Sequence, residues 1–293
     1  MYYRCGEFMF FEDGCKEWLY PLATGKRYKP EHPVNPSLLT GGNWIQDIVG
    51  EYSGRRLTFS RDRLVALSGV AHEYQRIWGG DYLAGLWRAD LERTLCWTKE
   101  FSTGPCTRSA TREYRAPSWS WAAIDGRIAQ HYTQINDLKI EILHVSTALA
   151  GSDPMGEVAS GLLTIRGVLK RGLVSVEKVP TFRAAGHCVT LYDFHVDSPG
   201  DAIAEVTYTF VPDTTDFQVT TATEMGIWIV FMTPQVGIAL LPVVGSALDA
   251  EQGKEIATFE RVGLVRTRWR SVDPEWFAGD SYHEEFRTTI NIV

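Results

Sequence analysis

The spacing of hydrophobic positions changes near the middle of the chain. Over residues 43–53, 60–78 and 82–95, apolar side chains recur every three or four positions, which is typical of one buried face on a helix. Ser60 is a candidate N-cap for the second of these helices, and Gly79 is positioned to end it. The first part of the chain is therefore predicted to contain three helices.

After residue 121 the pattern becomes short alternating or β-branched runs separated by turn residues. The predicted strands cover residues 138–148, 161–169, 173–179, 187–197, 202–211, 226–232, 236–244, 259–268 and 286–293. This order predicts an α+β protein with a helical N-terminal half packed on a predominantly antiparallel β half, either a sandwich or a partly closed barrel. We expect a helical and irregular part over 1–113, a β-rich part over 114–293, and one compact unit.

The aromatic run at residues 114–126 lies where the pattern changes. Pro117 disfavours helix for the residue before it, and on an extended strand Trp119 and Trp121 would share one face while Ser118 and Ser120 face the other way. Two large aromatic side chains on one face need a deep apolar surface. The run is therefore either a core seam, which is the commoner fate of such residues, or the wall of a pocket.

Composition and charge exclude several classes of function. The chain has 293 residues and a net charge of −7, with +1 over the first 150 residues and −8 over the rest, so no basic stripe is available to bind nucleic acid. No apolar run approaches the roughly 20 residues that cross a membrane, and the N-terminus lacks the features of a signal peptide. We expect a cytoplasmic protein that binds neither nucleic acid nor membrane.

Cofactor and metal motifs are also missing from the sequence. The five cysteines are odd in number and form no close pairs, which argues against a disulfide framework. There is no C-x-x-C or H-E-x-x-H zinc motif, no P-loop, no G-x-G-x-x-G and no G-x-S-x-G. The expectation is a protein without cofactor or metal.

Without a cofactor or metal motif, the Asp, Glu, His and Cys side chains of the chain are suited to acid–base chemistry. Glu12 lies near Cys15, and the two could act as base and acid, although a loop carboxylate is more often simply solvated. Asp193, His195 and Asp197 are spaced to share one face of a strand, which could orient a general base or, with further ligands, hold a metal. The alternative is a strand that leaves the core for solvent.

A second group of candidates surrounds the tryptophan run. If Trp119 and Trp121 line a pocket, Asp125 and His131 are placed at its mouth, although Asp125–Gly126 is also an ordinary hairpin turn. Trp87 is a further stacking candidate whose alternative is the core. Arg115 could form a charged pocket with Asp62 and Arg63; the alternative is that Asp62, at the start of the helix, pairs with an arginine and pins the helix to the tryptophan run.

Four stretches of the chain carry a family resemblance. They are Tyr52–Ala71 (YSGRRLTFSRDRLVALSGVA), Gly80–Trp87 (GDYLAGLW) with Leu95–Trp97, Tyr114–Trp121 (YRAPSWSW), and the weaker Asp153–Gly167. In this order they resemble the region that follows the core domain in fungal heterokaryon-incompatibility (HET) proteins. Tyr2–Cys5 and Arg261–Gly263 also fit, so the resemblance spans nearly the whole chain.

The motifs of the HET core itself have no counterpart in this sequence. The core is the part of the family that is likened to TIR domains, so no functional residue of the core is carried over. The resemblance instead implies two functions. Stand-alone HET-like proteins of fungal secondary metabolism suggest a cofactor-independent isomerase, and the parent family suggests a recognition module of allorecognition.

The isomerase is the function that the sequence favours. It would epimerise a Cα by deprotonation and reprotonation, or catalyse a cyclase or pericyclic step, on a flat hydrophobic small molecule in a Trp-lined pocket. The reason is that the helices have caps and polar faces of their own, and that 293 residues can bury a core without a partner. An enzyme should enclose one apolar pocket, whereas a module should expose an apolar patch. Whether the chain forms a homodimer is left open.

Overall fold

The computed structural model describes most of the chain. The described residues are 2–5, 8–11, 16–18, 44–55, 57–100, 107–108, 114–131, 138–178, 182–184, 187–189, 192–196, 208–214, 225–245, 256–267 and 287–293. They confirm the α+β class, with short helices in the first part and a large, mostly antiparallel sheet in the second.

The first part begins with a small antiparallel sheet that the hydrophobic pattern did not predict. Its strands are β1 (Tyr2–Cys5), β2 (Phe8–Phe11) and β3 (Lys16–Trp18), in that order. A π-helix over Trp44–Val49 then leads directly into the one-turn helix α1 (Gly50–Ser53), where the first helix is predicted.

The second predicted helix is confirmed. A 3₁₀ turn over Ser60–Arg63 precedes α2 (Val65–Trp78), which buries Leu67, Ala71 and Tyr74 on one face. Ser60 therefore begins the 3₁₀ turn, and the cap position of α2 falls on Leu64, where no side chain provides a capping hydrogen bond. Gly79 ends the helix at φ 75°, a conformation that glycine adopts without strain.

The third predicted helix is wrong over most of its length. Residues 82–87 form a hairpin of β4 (Tyr82–Leu83) and β5 (Leu86–Trp87), and only α3 (Leu91–Thr94) is α-helical, after a 3₁₀ turn at Arg88–Asp90. The two residues of the hairpin turn, Ala84 and Gly85, have φ values of 46° and 95°. Consecutive positive φ angles make a two-residue hairpin turn and stop a helix, although the apolar stripe remains buried.

The tryptophan run is not a strand either. After Pro117 the chain turns, and a 3₁₀ turn over Trp121–Ala123 follows. The Ser120 hydroxyl accepts a hydrogen bond from the backbone N–H of Ala122, which caps that turn. Local side chain to backbone bonding therefore replaces the extended geometry that the alternation predicted.

Short strands flank this region and link it to the first part. They are β6 (Trp97–Lys99), β7 (Thr107–Arg108), β8 (Ile124–Asp125) and β9 (Ile128–Gln130). β6 pairs with β9, and β7 pairs with β8.

The strands of the second part agree closely with the alternating pattern. They are β10 (Glu141–Leu149), β11 (Val158–Lys178), β12 (Phe182–Ala184), β13 (His187–Val189), β14 (Tyr192–Val196), β15 (Tyr208–Pro212), β16 (Met225–Thr233), β17 (Val236–Pro242), β18 (Thr258–Thr267) and β19 (Arg287–Ile292). The predicted strands 161–169 and 173–179 are one continuous strand of 21 residues, whereas the predicted strand 187–197 corresponds to two strands, β13 and β14, that belong to different sheets.

The long strand β11 organises the sheet. Its first half pairs with β10 and β19, and its second half pairs with β14 and β16. From β16 the pairing continues through β17, β18 and β15 to β14, which returns to β11. These six strands close a ring, so of the two predicted forms the pairing corresponds to the barrel.

Both faces of β16 are buried, which places a hydrophobic layer on each side of this strand. Ile227, Ile229 and Phe231 belong to a cluster with residues of β11, β15, β17 and β18. Val230 and Met232, at the alternate positions, join a larger cluster with the tryptophans of the first part. The alternation of side chains along a strand therefore divides the core into a layer within the ring and a layer between the ring and the first part.

Candidate functional site

Trp87 lies in a cluster of aromatic rings from the first part of the chain. Its ring stacks on Tyr74, with centroids 5.6 Å apart and planes at 28°, and meets Tyr82 at 5.0 Å and Trp44 and Trp78 at 5.6 Å each. Trp87 is fully buried. Edge-to-face and stacked pairs at these separations are ordinary core packing, which favours the core interpretation of Trp87.

Trp121 is held by the hairpin turn between β4 and β5. The carbonyl of Gly85 accepts a hydrogen bond from Trp121 Nε1 at 2.8 Å and a second from Trp44 Nε1 at 2.9 Å. The Trp121 ring also packs edge-on against Tyr52, at 6.1 Å. A single backbone carbonyl thus satisfies two buried indole donors and fixes both rings.

Trp119 is also fully buried, and it packs on the long strand β11. A Cβ added at Gly161 would lie 3.1 Å from the Trp119 ring and 2.6 Å from Pro117. The backbone carbonyl of Trp119 accepts the Trp97 indole N–H at 2.9 Å. Gly161 therefore allows the tryptophan run to lie directly against the sheet.

Ser118 and Ser120, which alternate with the two tryptophans, are buried as well, contrary to a strand with one solvent face. Ser120 donates its hydroxyl to the carbonyl of Ala84. The Ser118 hydroxyl donates to the carbonyl of Val293 and accepts the backbone N–H of Arg261 at 2.8 Å. The run Tyr114–Trp121 thereby joins the hairpin of the first part to strand β18 and to the residue that follows β19.

Arg115 and Asp125 form an ion pair. Arg115 Nη1 lies 2.8 Å from Asp125 Oδ1, and Arg63 Nη1 lies 3.7 Å from the same oxygen. Both arginines are buried, whereas the Asp125 side chain is 39% exposed. Arg115 Nε also donates to the carbonyl of Ala122 at 2.6 Å. The acidic partner of Arg115 is thus Asp125, whereas the described ion-pair contact of the helix-start Asp62 is with Arg61, at 3.9 Å.

His131 directly follows β9. Asp125 of the ion pair lies on the preceding strand, β8, but the described backbone contact of His131 is with another part of the chain. Its backbone N–H donates to the carbonyl of Cys96 at 3.0 Å, and its side chain is partly buried. Burial, together with the positive charge of Arg266, lowers the pKa of His131 below its ordinary value of 6.5. His131 is therefore neutral, and able to accept a proton, at neutral pH.

A buried ion pair that sequence reasoning did not single out joins the ring to the first part. Arg261 on β18 is fully buried and binds Asp213 through Nε and Nη2, at 2.9 and 3.1 Å. Its Nη1 donates to the carbonyl of Leu95 and its Nη2 also donates to the carbonyl of Trp97, at 2.6 Å each. Its guanidinium carbon lies 3.4 Å from the centroid of the Trp97 ring. The sequence held one signal for the burial of Arg261. It lies two residues after the apolar Phe259 on a predicted strand, so the two side chains share a face.

The other predicted catalytic residues are only partly described. Glu12 lies outside the described residues. Asp193 and His195 lie on β14, where the backbone register places Asp193 opposite Ser175 and Thr209, and His195 opposite Leu173. Their side chains, and all of Asp197, lie outside what the structure describes. Their roles remain predictions.

Comparisons with family models, curated proteins and solved structures found no match to this chain. The resemblance to HET proteins therefore remains a prediction that rests on the quoted motifs. Among the described residues, no group of three or more His, Cys, Asp or Glu side chains is arranged to hold a metal ion. No helix in the described ranges has the length and apolarity to span a membrane.

Proposed function

We propose that the chain is a non-catalytic recognition module, related to the region that follows the core of HET allorecognition proteins, and that it docks on a HET core domain. The observation that carries this proposal is the burial of the residues that were predicted to bind a substrate. Trp87, Trp119, Trp121 and Arg115 are all buried, and each has internal contacts with neighbouring elements. These side chains build the scaffold, which leaves recognition to the surface.

A group of exposed apolar side chains surrounds the start of α2, and we call it the α2 entry patch: Phe59, Val65 and Tyr114. Their exposed fractions are 58%, 46% and 49%. Phe59 and Val65 flank the 3₁₀ turn before α2, and the side chain of Arg115, next to Tyr114, reaches the carbonyl of Ser60 at 3.4 Å. A continuous exposed apolar patch is typical of a docking site, and we infer from their positions that these three side chains form one.

The α2 entry patch also has the mixed character of interaction surfaces. Arg61 lies beside it, with its guanidinium carbon 5.8 Å from the centroid of the Phe59 ring, and its side chain is largely exposed. Aromatic residues and arginine are enriched where protein interfaces derive most of their binding energy. Phe59 is thus the residue from which we expect the largest contribution to docking.

Replacing Phe59 by serine is expected to weaken binding to a HET core domain by about 30-fold, because a buried aromatic anchor contributes about 2 kcal/mol or more. Val65→Ser is expected to weaken it less, because valine buries a smaller apolar area. The measurement is isothermal titration calorimetry of the purified chain against purified HET core domains.

Ile256→Ser is the matched control, since Ile256 has the same 46% exposure as Val65 but precedes β18. This variant should bind HET core domains with the same affinity as the unsubstituted chain. Equal affinity for Phe59→Ser and Ile256→Ser would place the interface elsewhere, and no binding to any core domain would refute the module.

Cofactor-independent isomerisation is the second candidate, and two observations favour it. His131 is neutral at neutral pH because its pKa is lowered, and Arg266 supplies a positive charge that would stabilise a developing carbanion. The buried indole N–H groups of Trp87 and Trp119 have no hydrogen-bond partner within the described part of the chain. Unpaired buried donors are suited to a polar group of a bound substrate.

In that function His131 would take a proton from an acidic C–H, and return of a proton to the opposite face would invert the centre. Enzyme-dependent gain of one deuterium at carbon in D₂O, followed by mass spectrometry of metabolite extract, is the expected result. His131→Asn should reduce that gain by about 100-fold, the usual contribution of a general base. The rate should fall as the pH drops through the lowered pKa, below 6.5. No deuterium gain would refute epimerisation.

A further inference from the structure

The segment between α1 and the 3₁₀ turn at Ser60 presents a hydroxyl group to solvent. Thr58 is exposed and lies in a bend, between the partly buried Leu57 and the exposed Phe59. Within the part of the chain that the structure describes, no hydrogen bond engages the backbone of Leu57 or Thr58. A segment without backbone hydrogen bonds is available to a partner that binds extended chain.

The residues before Thr58 give this segment a distinct charge pattern. Two adjacent Lys or Arg residues occur three times in the sequence, at 26–27, 55–56 and 170–171. Of these three pairs, only the pair at 55–56 has a hydroxyl residue two positions after it, in the sequence Arg55-Arg56-Leu57-Thr58. Two guanidinium groups two and three residues before the hydroxyl match an acidic substrate cleft, because arginine pairs strongly with carboxylates.

We propose that Thr58 is a phosphorylation site for a basophilic protein kinase. The kinase aspartate accepts the hydroxyl proton of Thr58, and Oγ1 forms a bond to the γ-phosphorus of MgATP. The bond from that phosphorus to the bridging oxygen breaks, and ADP leaves. The exposed Phe59, directly after Thr58, provides a hydrophobic contact for the same cleft.

The phosphate would enter a setting that stabilises it. It carries a charge of about −1.5 to −2 at neutral pH. Arg61 lies three residues further along, within the 3₁₀ turn that begins at Ser60, and its present contact with Asp62 is long, at 3.9 Å, and solvent-exposed. Phosphothreonine at position 58 would therefore compete well for Arg61 and draw it away from the ring of Phe59. The modification would thus change the charge of the α2 entry patch.

The test is incubation of the purified, folded chain with MgATP and the catalytic subunit of a kinase that requires arginine two and three residues before its target. Tryptic mass spectrometry is expected to find one phosphate per chain, on Thr58. Thr58→Ala should abolish its incorporation, while Ser60→Ala should retain it. Arg56→Gln should lower kcat/KM by about tenfold or more, which corresponds to one charge-assisted hydrogen bond.

A synthetic peptide covering residues 53–61 serves as the control for accessibility. Phosphorylation of the peptide but not of the folded chain would overturn the proposal, because it would show that the fold hides the site. Unchanged incorporation in Thr58→Ala would overturn it as well, by placing the phosphate elsewhere. Both readouts are independent of binding to a HET core domain, so the recognition module can fail while this site stands.

Discussion

Replacing Arg261 by methionine is expected to lower the free energy of unfolding by about 3–5 kcal/mol. The change leaves the Asp213 carboxylate buried without its partner and removes the donors that serve the carbonyls of Leu95 and Trp97. It also removes the guanidinium from the face of Trp97. The measurement is equilibrium urea unfolding, followed by the fluorescence of the ten tryptophans.

The double variant Arg261→Met with Asp213→Leu separates the ion pair from the packing. Removing both charges together avoids the unpaired carboxylate, so this variant should be more stable than Arg261→Met alone by about 1–3 kcal/mol. It should remain less stable than the original chain, because the carbonyls of Leu95 and Trp97 still lack a donor. A loss below about 1 kcal/mol for Arg261→Met would show that solvent reaches this network.

Replacing Gly85 by alanine is expected to cost about 3–5 kcal/mol, because strain and overpacking act together. Gly85 has φ 95°, and an added Cβ would lie 2.6 Å from Trp121 Nε1. Relieving that contact moves the carbonyl that accepts hydrogen bonds from Trp44 and Trp121. Urea unfolding measures the loss, and near-ultraviolet circular dichroism reports the changed surroundings of the two rings.

Gly245→Ala is the matched control for backbone strain. Gly245 has φ 87°, close to that of Gly85, but no atom lies within 4 Å of the Cβ that alanine would add. The expected cost is about 1 kcal/mol, from the unfavourable φ alone. Similar losses for Gly85→Ala and Gly245→Ala would contradict the close contact between the hairpin turn and Trp121.

The strands of the second part could be predicted because one rule decides them. A side chain period of two positions marks a strand whatever its partners are, and β16, β17 and β18 were all predicted to within a few residues. Helix α2 was predicted for the same reason, from a period of 3.6 and from Gly79. The hairpin at 82–87 was missed, because its apolar residues also fit a helical stripe and its turn depends on the positive φ of Ala84.

The tryptophan run illustrates the limit of such patterns. That Trp119 and Trp121 are large and apolar predicted a core seam as one alternative, and both are fully buried. Their conformation was not predictable, because Ser120 bonds to the nearby Ala122 N–H and to Ala84, which is 36 residues away in sequence. The second contact exists only once the hairpin has packed on the run.

The ion pairs depend still more on the tertiary structure. Arg261 and Asp213 are 48 residues apart, and the carbonyls of Leu95 and Trp97 are more than 160 residues from Arg261. No local rule links such positions, since an arginine on a strand is usually exposed. Arg115 and Asp125 are closer in sequence, but the approach of Arg63 to the same carboxylate follows from the packing of the 3₁₀ turn before α2.

The sequence by itself determined the α+β class, the positions of most strands and helix α2, and gave a core position for Trp119 and Trp121 as one of two alternatives, because periodicity and residue size act locally. Only the tertiary structure decided that the strands close into a ring, that the hairpin turn binds two indoles, and that Arg261 joins the ring to the first part. These features depend on contacts between residues far apart in the chain, whose geometry exists only after the elements pack together.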